Sequence, residues 1–488
     1  MKRIMLISTM LFILGTGFCA AADGENHIGS TLVGVWQGSL TIGSASLRIV
    51  FNVELKDGAL RATMDSPDQG AKGIPVSKIT LADSVAVFEV KAIGGAFEGK
   101  LSSDGSSLAG TLKQGGAAFP LLLQRAEPSP APAMQDKASS SAPARPQLPV
   151  APFPYEAIDL DFPNTKAGIS LAGTLTVPEG PGPFPAVVLV TGSGAQSRDE
   201  EIMGHKSFLV IADYLSRRGI AVLRYDDRGV GGSGGAFSTA TTFDFVDDAH
   251  AAVSFLSGRP EIDPKRVGIV GHSEGGIVAA IEASRNPSLA FIVMLAGPGI
   301  RGDALLLLQN EALASASGAD PSLIAGAKAL NSALYEIAMK DVPVAEAKKE
   351  IIALLKSMAK GGEGGDAGSA LDAEAERIAG QLLNPWMRAF LALDPAPYLS
   401  IVKIPVLAMI GSKDLQVPCE ANLSAIETAL TKAGNSSFRL IRLEGLNHLF
   451  QHATTGRPDE YASIEETFAP EALAALEGWL QSILQGGK

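Results

Sequence analysis

The chain has 488 residues, a length that exceeds one ordinary domain. With 46% hydrophobic and 19% charged residues, its composition is that of a compact globular protein, which excludes a mostly disordered chain. The net charge of −12 would repel the phosphates of nucleic acids and anionic lipid surfaces, so we do not expect nucleic acid as a partner.

Residues 1–22 have the pattern of a bacterial export signal. A positively charged start is followed by an apolar run and by small residues at 20–22, where cleavage is expected. The mature chain should therefore start near Asp23 and lie in the periplasm or outside the cell. The apolar run is too short to span a bilayer, and bulky Phe18 before Cys19 disfavours a lipoprotein. We expect no integral membrane segment after cleavage.

Residues 23–125 are predicted to form a small antiparallel β-sheet or barrel domain. Apolar and polar residues alternate over 46–55 and 85–90, the period of strands with one buried face, and Asp57-Gly58 is a turn signal. Residues 126–154 then change to Pro, Ala and Ser. This composition cannot bury a core, and it predicts a semi-stiff linker.

Residues 155–488 are predicted to form an α/β domain. Six apolar runs have the length of buried strands: 186–190, 220–225, 267–270, 291–295, 406–410 and 438–443. Helical stretches separate most of them, which indicates a mostly parallel sheet with helices on both faces. The interval of about 299–395, with a glycine-rich interruption at 361–365, is too long for one crossover. It predicts an inserted helical cap over the carboxyl ends of the strands.

The pattern Gly-x-Ser-x-Gly occurs twice, and its context distinguishes the two serines. Gly271-His272-Ser273-Glu274-Gly275 directly follows an apolar strand and runs into a helical stretch over 276–282. A strand, a sharp turn and a helix form a nucleophile elbow, where the glycines let the strained turn pack closely. Ser273 is therefore the predicted nucleophile, rather than a serine that caps a helix.

The second match, around Ser233, has no strand directly before it and no immediate helix after it, so we interpret residues 231–235 as a flexible loop. Glycines at 229, 231 and 234 also fit a dinucleotide-binding fingerprint. That motif needs its last glycine to open a helix, whereas residues 238–242 are predicted to continue the loop. Nucleotide binding is thus disfavoured, and Arg228, beside two aspartates, is predicted to be a structural ion-pair partner.

A serine hydroxyl needs a base that takes its proton and an acid that orients the base. In this architecture the chain order is Ser, then Asp or Glu, then His, and only His448 and His452 lie beyond the elbow. His448 follows the last predicted strand and is the predicted base. Asp414 follows the preceding one and is the predicted acid, with Glu420 and Glu444 as alternatives.

Two backbone N–H groups are expected to bind the oxyanion of a tetrahedral intermediate. The elbow supplies that of Glu274. The loop after the first of the six predicted strands, Thr191-Gly192-Ser193-Gly194, should supply the other, and we predict the N–H of Ser193.

Neither a metal nor an organic cofactor is predicted. His448 and His452 are spaced for a shared metal, but no zincin glutamate and no third ligand accompany them. Removal of the signal would leave Cys419 as a lone cysteine, so no internal disulfide is expected.

Five motifs span nearly all of the predicted catalytic domain. They are Thr191–Gly194 through Arg198–Glu200, Tyr225–Gly229, Gly271–Gly276, Gly411–Pro418 and Leu446–Gln451. Together they resemble the EstD-like family of bacterial esterases, α/β-hydrolases that often carry an N-terminal β domain. The resemblance implies hydrolysis of carboxylic esters, usually with short acyl chains, without metal or organic cofactor. Thr191 departs from the family, where His more often precedes Gly-Ser-Gly.

The predicted function is that of a serine carboxylesterase acting on a small-molecule ester through an acyl-enzyme. A serine peptidase or a thioesterase would use the same triad, so both remain alternatives. A non-catalytic exported binding protein is disfavoured, because a decoy has no need of three chemically matched groups at three strand ends. The sequence predicts neither the natural ester nor the oligomeric state.

Overall fold

The structure, a computed structural model, describes residues 30–125 with short gaps at 43–44, 57–58, 67–70, 83, 91–94, 103 and 115–116, and then 144–359 and 368–485. The predicted signal, the Asp57-Gly58 turn, linker residues 126–143 and the glycine-rich interruption at 361–365 lie outside the described residues. The chain forms two compact units. One is built mainly on residues 30–125 and the other on 144–359 and 375–485.

The described part of the first unit contains nine strands in one sheet. They are β1 (Gly34–Ile42), β2 (Ala45–Lys56), β3 (Ala59–Ser66), β4 (Ala71–Pro75), β5 (Lys78–Ala82), β6 (Val85–Val90), β7 (Gly95–Leu101), β8 (Ser107–Gln114) and β9 (Ala117–Arg125), after a 3-10 turn at Ser30–Leu32. Their order is β4-β3-β2-β1-β9-β8-β7-β6-β5, so the first and last strands pair near the middle of the sheet.

Alternating side chains give this sheet one buried face. In β6 every second side chain is buried, namely Ala86, Phe88 and Val90. Phe88 stacks on Phe51 with 4.8 Å between ring centroids, and Phe97 lies 6.2 Å from Phe88. The prediction of an N-terminal antiparallel β domain is confirmed.

In the described part of the second unit, eight strands form the main sheet. They are β10 (Tyr155–Asn164), β11 (Ile169–Pro178), β12 (Phe184–Val190), β15 (Ala221–Tyr225), β16 (Ile262–His272), β17 (Phe291–Leu295), β18 (Val406–Gly411) and β19 (Phe438–Leu443), and β13 (Glu201–Ile202) and β14 (His205–Lys206) form a separate hairpin. The sheet order is β10-β11-β15-β12-β16-β17-β18-β19. β10 and β11 are an antiparallel hairpin, β11 is antiparallel to β15, and the other pairs are parallel.

Helices cover both faces of this sheet. One face packs against α1 (Ser207–Ser216) and α11 (Pro470–Gln485), and the other against α2 (Thr242–Ser257), α3 (Glu274–Arg285), the short α9 (Ala396–Leu399) and α10 (Cys419–Ala433). In β12, Val188 and Val190 belong to the core with α2 and α3, whereas Val187 and Leu189 belong to the core with α1 and α11. Burial on both faces explains the continuous apolar runs. The predicted α/β-hydrolase fold is confirmed.

The interval between β17 and β18 is a helical insertion. It contains α4 (Gly302–Ala316), α5 (Pro321–Met339), α6 (Val344–Ala359), α7 (Gly368–Leu382) and α8 (Pro385–Ala392), which share a core that includes Leu334, Ala347, Ile351, Ala379 and Leu391. Asn384 starts α8, because its side chain accepts the N–H of Met387 at 2.7 Å. Among the described helices, none combines the length and apolar character that crossing a bilayer requires.

The structure differs from the sequence-based prediction at two places in the second unit. The strands β10 and β11 were not predicted. β10 is an edge strand with many exposed side chains, and β11 is mostly buried but interrupts its apolar residues with Gly173, Thr174 and Thr176, so neither has a continuous apolar run. The predicted loop at 238–242 includes part of a 3-10 turn at Phe237–Thr239, and Thr242 already belongs to α2.

Candidate active site

Ser273 lies in a strained turn between a strand and a helix. β16 ends directly before it and α3 begins directly after it, and its backbone has φ 53° and ψ −119°. A Cβ on Gly271 would lie 1.9 Å from the carbonyl oxygen of Gly275, and a Cβ on Gly275 would lie 2.2 Å from that of Val190. Only glycine fits at both positions. The two glycines therefore let the strand and the helix pack closely around Ser273, whose φ is positive. This is the geometry of a nucleophile elbow.

Asp414 and His448 meet in the loops that follow β18 and β19. Nδ1 of His448 lies 2.8 Å from Oδ2 of Asp414, and both side chains are buried. The other carboxylate oxygen of Asp414 accepts the backbone N–H groups of Gln416 and Val417, each at 2.8 Å. These donors hold the carboxylate in place. The carboxylate in turn orients the imidazole so that Nε2 is the nitrogen that can take a proton.

The alternative acids lie on the surface. Glu420 forms an ion pair with Arg442 at 2.9 Å, and its side chain is 84% exposed. Glu444 accepts the hydroxyl of Ser412 at 3.0 Å and is 75% exposed. The structure therefore brings Asp414, and not these two glutamates, to His448.

His452, the other histidine beyond the elbow, faces solvent. Its Nδ1 and Nε2 lie 2.9 and 2.8 Å from the carboxylates of Glu466 and Glu471. Within the ranges that the structure describes, no group of three or more His, Cys, Asp or Glu side chains is arranged to hold a metal ion.

His272 joins the elbow to the loop of His448. Its Nε2 donates to the carbonyl oxygen of His448 at 3.0 Å, and the two imidazole rings lie 4.8 Å apart between centroids. Because His272 directly precedes Ser273, this contact places His448 beside the elbow. Sequence analysis gave His272 no role, although its position inside the nucleophile motif was a usable signal. Ser273, Asp414 and His448 thus lie at one edge of the sheet, past the carboxyl ends of β16, β18 and β19.

The loops of the two predicted oxyanion donors, Ser193 and Glu274, adjoin Ser273. Gly192 comes so close that a Cβ on it would lie 3.1 Å from the Cβ of Ser273. The N–H of Gly192 already donates to Oε1 of Glu200 at 2.8 Å, which leaves the next N–H along this loop, that of Ser193. Glu274 is the first residue of α3, where backbone N–H groups have no partner within the helix.

The side chain of Glu274 links the elbow to the helical insertion. Its Oε1 accepts the hydroxyl of Thr242 at 2.6 Å and the indole N–H of Trp386 in α8 at 2.9 Å. Burial raises the pKa of Glu274, although these hydrogen bonds and the nearby hydroxyl of Ser193 oppose the shift. Sequence analysis missed Trp386, because no local pattern marks a contact between segments so far apart.

The loop Thr191–Gly194, called the oxyanion loop below, is held by Thr191. This residue stands where the EstD-like family more often has His. Its hydroxyl donates to Oδ1 of Asp227 at 2.7 Å, and Oδ2 of Asp227 accepts the N–H of Gln196 at 2.8 Å. Burial raises the pKa of Asp227 well above its ordinary value, despite these two hydrogen bonds. The loop is therefore tied to the segment after β15.

Ser233, the serine of the second motif, has a structural role. Its hydroxyl donates to the carbonyl of Asp226 at 2.6 Å and accepts the N–H of Ala172 at 2.9 Å. Gly231 has a positive φ, and a Cβ on it would lie 2.4 Å from a carboxylate oxygen of Asp226. The segment predicted to be a flexible loop is thus held in place by buried contacts.

Arg228 forms ion pairs, but with aspartates of α2 rather than with its neighbours in the sequence. Its Nε lies 2.7 Å from Asp248, and its Nη1 lies 3.0 Å from Asp244. The neighbouring Asp226 pairs with Arg198 at 2.8 Å. Sequence proximity alone therefore did not identify the partners of Arg228.

The sheet order, the elbow and the contact between His448 and Asp414 are those of the α/β-hydrolase fold. A family model described as serine aminopeptidase, S33, matches residues 203–350, a segment that includes the elbow and ends before Asp414. The chain is also 39% identical to esterase EstD of Thermotoga maritima over 150 residues, which are 30% of this chain and 36% of EstD. The predicted resemblance to EstD-like esterases of the α/β-hydrolase superfamily is confirmed.

Two further proteins are similar to parts of the chain. Polyketide transferase ATR5 of Stachybotrys chlorohalonatus is 30% identical over 173 residues, which are 33% of this chain and 54% of that protein. The chain thus spans about a third of the length of EstD and about half that of ATR5. Among solved structures, the Pyrococcus furiosus esterase Pf2001 is 18% identical with a TM-score of 0.40, covering 67% of this chain and 91% of its own.

Proposed function

We propose that the protein is an exported serine carboxylesterase that hydrolyses small esters with short acyl chains. The observation that carries this proposal is the elbow, in which Ser273 adopts φ 53° directly before α3 while His448, bound to Asp414, lies in the adjoining loop. The similarity to EstD supports an ester as the substrate. The resemblance to its family supports a short acyl chain.

In the proposed reaction, Nε2 of His448 takes the proton of Ser273 as its oxygen attacks the ester carbonyl carbon. Asp414 accepts the Nδ1–H and stabilises the imidazolium. The N–H groups of Ser193 and Glu274 bind the oxyanion, and each such donor typically contributes ~2.7–4 kcal/mol. The alcohol leaves with the proton from His448. Water, deprotonated by the same imidazole, then attacks the acyl-enzyme, and the acid leaves as Ser273 regains its proton.

A serine peptidase is the second candidate, because the family model that matches residues 203–350 is described as an aminopeptidase. The same triad would then attack an amide instead of an ester. Comparing kcat/KM for a p-nitrophenyl ester, an aminoacyl p-nitroanilide and a thioester of the same acyl group distinguishes the candidates. The esterase proposal predicts hydrolysis of the ester with a short acyl chain and no measurable turnover of the anilide, whereas a peptidase would cleave both.

Ser273→Ala tests the proposed nucleophile. It should lower kcat for p-nitrophenyl acetate by about 10⁶-fold, because the acyl-enzyme can no longer form. Ser233→Ala is the matched control, since it changes the serine of the other Gly-x-Ser-x-Gly motif and should keep kcat despite losing two buried hydrogen bonds. Unchanged turnover by folded Ser273→Ala, as judged by circular dichroism, would refute the assignment.

A further inference from the structure

Glu200 and His272 form a buried pair beside the elbow. Their exposed fractions are 1% and 5%, and Nδ1 of His272 lies 2.9 Å from Oε1 of Glu200. Glu200 lies in the segment after the oxyanion loop, and His272 is the last residue of β16. Neither side chain takes part in the proposed reaction, so their burial next to Ser273 indicates another role.

This pair contacts two loops of the site. Oε1 of Glu200 accepts the N–H of Gly192 at 2.8 Å, directly before the proposed oxyanion donor Ser193. Nε2 of His272 lies 3.0 Å from the carbonyl oxygen of His448. Two side chains thus join the oxyanion loop, the elbow and the loop of the base.

The hydrogen bonds of His272 to Glu200 and to His448 involve two protons. A carbonyl oxygen only accepts, so Nε2 must donate to His448. A neutral imidazole with its proton on Nε2 would present a lone pair to the carboxylate of Glu200, so the short Nδ1 contact needs a second proton, on Nδ1 or on Oε1 of Glu200. Burial lowers the pKa of His272, but the charge and hydrogen bond of Glu200, the carbonyl of His448 and the charge of Asp414 outweigh it and raise the pKa overall.

We propose that Glu200 and His272 are positioning residues for the ester hydrolysis proposed above, on which this inference rests. As a carboxylate and an imidazolium, they fix the oxyanion loop at Gly192 and the loop of the base at His448 relative to Ser273. Neither touches the ester. A displacement of about 1 Å in either loop lowers a rate by about 100-fold, so their loss should reduce kcat and leave KM near its wild-type value.

Glu200→Gln is the first test. The new amide oxygen can still accept from Gly192, but a buried imidazolium then lacks its counter-charge. If His272 becomes neutral instead, the amide must turn to donate to Nδ1, and Gly192 loses its acceptor. We expect kcat for p-nitrophenyl acetate to fall about 100-fold with little change in KM. Glu200→Asp, which restores the charge, should recover part of kcat.

Glu282→Gln is the matched control. Glu282 is also a fully buried carboxyl that faces a histidine, at 2.7 Å from Nδ1 of His250, but it lies towards the far end of α3 from Ser273. This variant should lower the melting temperature and keep kcat. An equal loss of kcat in Glu282→Gln would show that a buried carboxyl beside a histidine matters only through stability, and it would overturn the proposal.

An independent measurement uses the wild-type protein. With ¹⁵N-labelled histidine, NMR at neutral pH should show two imidazole N–H protons for His272, identified by their loss in His272→Gln. A single imidazole N–H proton for His272 would overturn the proposal, even if Glu200→Gln does not fold. If Glu200→Gln folds and keeps the wild-type kcat, the proposal is overturned as well. Ser273→Ala separates the two failures, because only its unchanged turnover would overturn the proposed function.

Discussion

Burial governs the carboxyl groups around the oxyanion loop. For both Asp227 and Glu274, burial raises the pKa and hydrogen bonds oppose it. A group whose pKa is raised by folding contributes stability that is fully present below its unfolded pKa. That contribution is lost as the pH rises through the folded pKa. These two carboxyls therefore weaken the fold increasingly as the pH rises above their unfolded pKa values, and not below them.

Asp227→Asn should remove the part of this pH-dependent loss of stability that Asp227 causes. The asparagine oxygen can accept the N–H of Gln196 while its NH₂ donates to Thr191, as a protonated acid would. Relative to wild type, the free energy of unfolding of Asp227→Asn should therefore improve as the pH rises from about 5 to 9. Urea unfolding of both proteins at several pH values measures this difference.

Asp263→Asn is the control for that series. Its hydrogen bond and ion pair with Arg266 lower the pKa of Asp263, so the group is ionised throughout this pH range in both folded and unfolded states. The difference between wild type and Asp263→Asn should accordingly stay constant. A constant difference for Asp227→Asn as well would contradict the role given to its raised pKa.

Residues 145–148, which precede β10, are hydrogen-bonded to other parts of the second unit. Their composition had placed them in the predicted linker, residues 126–154. Gln147 makes three hydrogen bonds of 2.6–3.0 Å with the backbone of Thr467 and Phe468. Arg145 donates to three carbonyl oxygens, those of Met203, Ala462 and Ile464, at 2.5–3.1 Å. The rings of Phe468 and Phe450 stack with 5.0 Å between their centroids. Phe450 lies two residues after His448. This segment, residues 145–148, therefore supports the region that carries the proposed base.

A chain starting at Tyr155, the predicted domain boundary, should be less stable than one starting at Ala144. It loses six hydrogen bonds, and at about 0.5–1.5 kcal/mol each the free energy of unfolding should fall by on the order of 3 kcal/mol or more. Urea unfolding measures the difference. Gln147→Ala in the longer chain should give an intermediate loss. Equal stability of the two chains would show that residues 145–148 contribute nothing.

At the scale of the whole molecule, Cys419 is compatible with the proposed export. Burial is the main cause that raises the pKa of Cys419, to about 11, so the thiol stays protonated near neutral pH. A buried, protonated thiol reacts poorly with disulfides. The chain therefore carries no exposed thiolate at this position that an oxidising compartment would attack.

Export itself predicts a shorter mature protein. Bacteria that express the full chain should yield a periplasmic or secreted product whose mass corresponds to a start near Asp23, because a signal peptide is removed on export. Ile13→Arg, which interrupts the apolar run, should retain the uncleaved chain inside the cell. Intact mass spectrometry of each fraction gives the answer, and an exported product that still begins at Met1 would rule out cleavage.

The sequence by itself determined the features that depend on local chemistry and on order along the chain. Apolar runs predicted six strands of the main sheet, and alternation predicted the β domain. The strand, glycines and helix around residue 273 identified an elbow, and chain order singled out Asp414 and His448. Each of these signals lies in a short stretch of sequence or in the order of such stretches, so no knowledge of distant contacts was needed.

Only the tertiary structure decided which distant side chains meet. His272 and Glu200 are 72 residues apart, Trp386 and Glu274 are 112 apart, and Gln147 and Phe468 are 321 apart. Hydrogen bonds and desolvation act across space, and a single sequence carries no periodicity that records such pairs. The positioning pair, the contact between elbow and insertion and the bound segment before β10 therefore depend on how the sheet and its loops fold together.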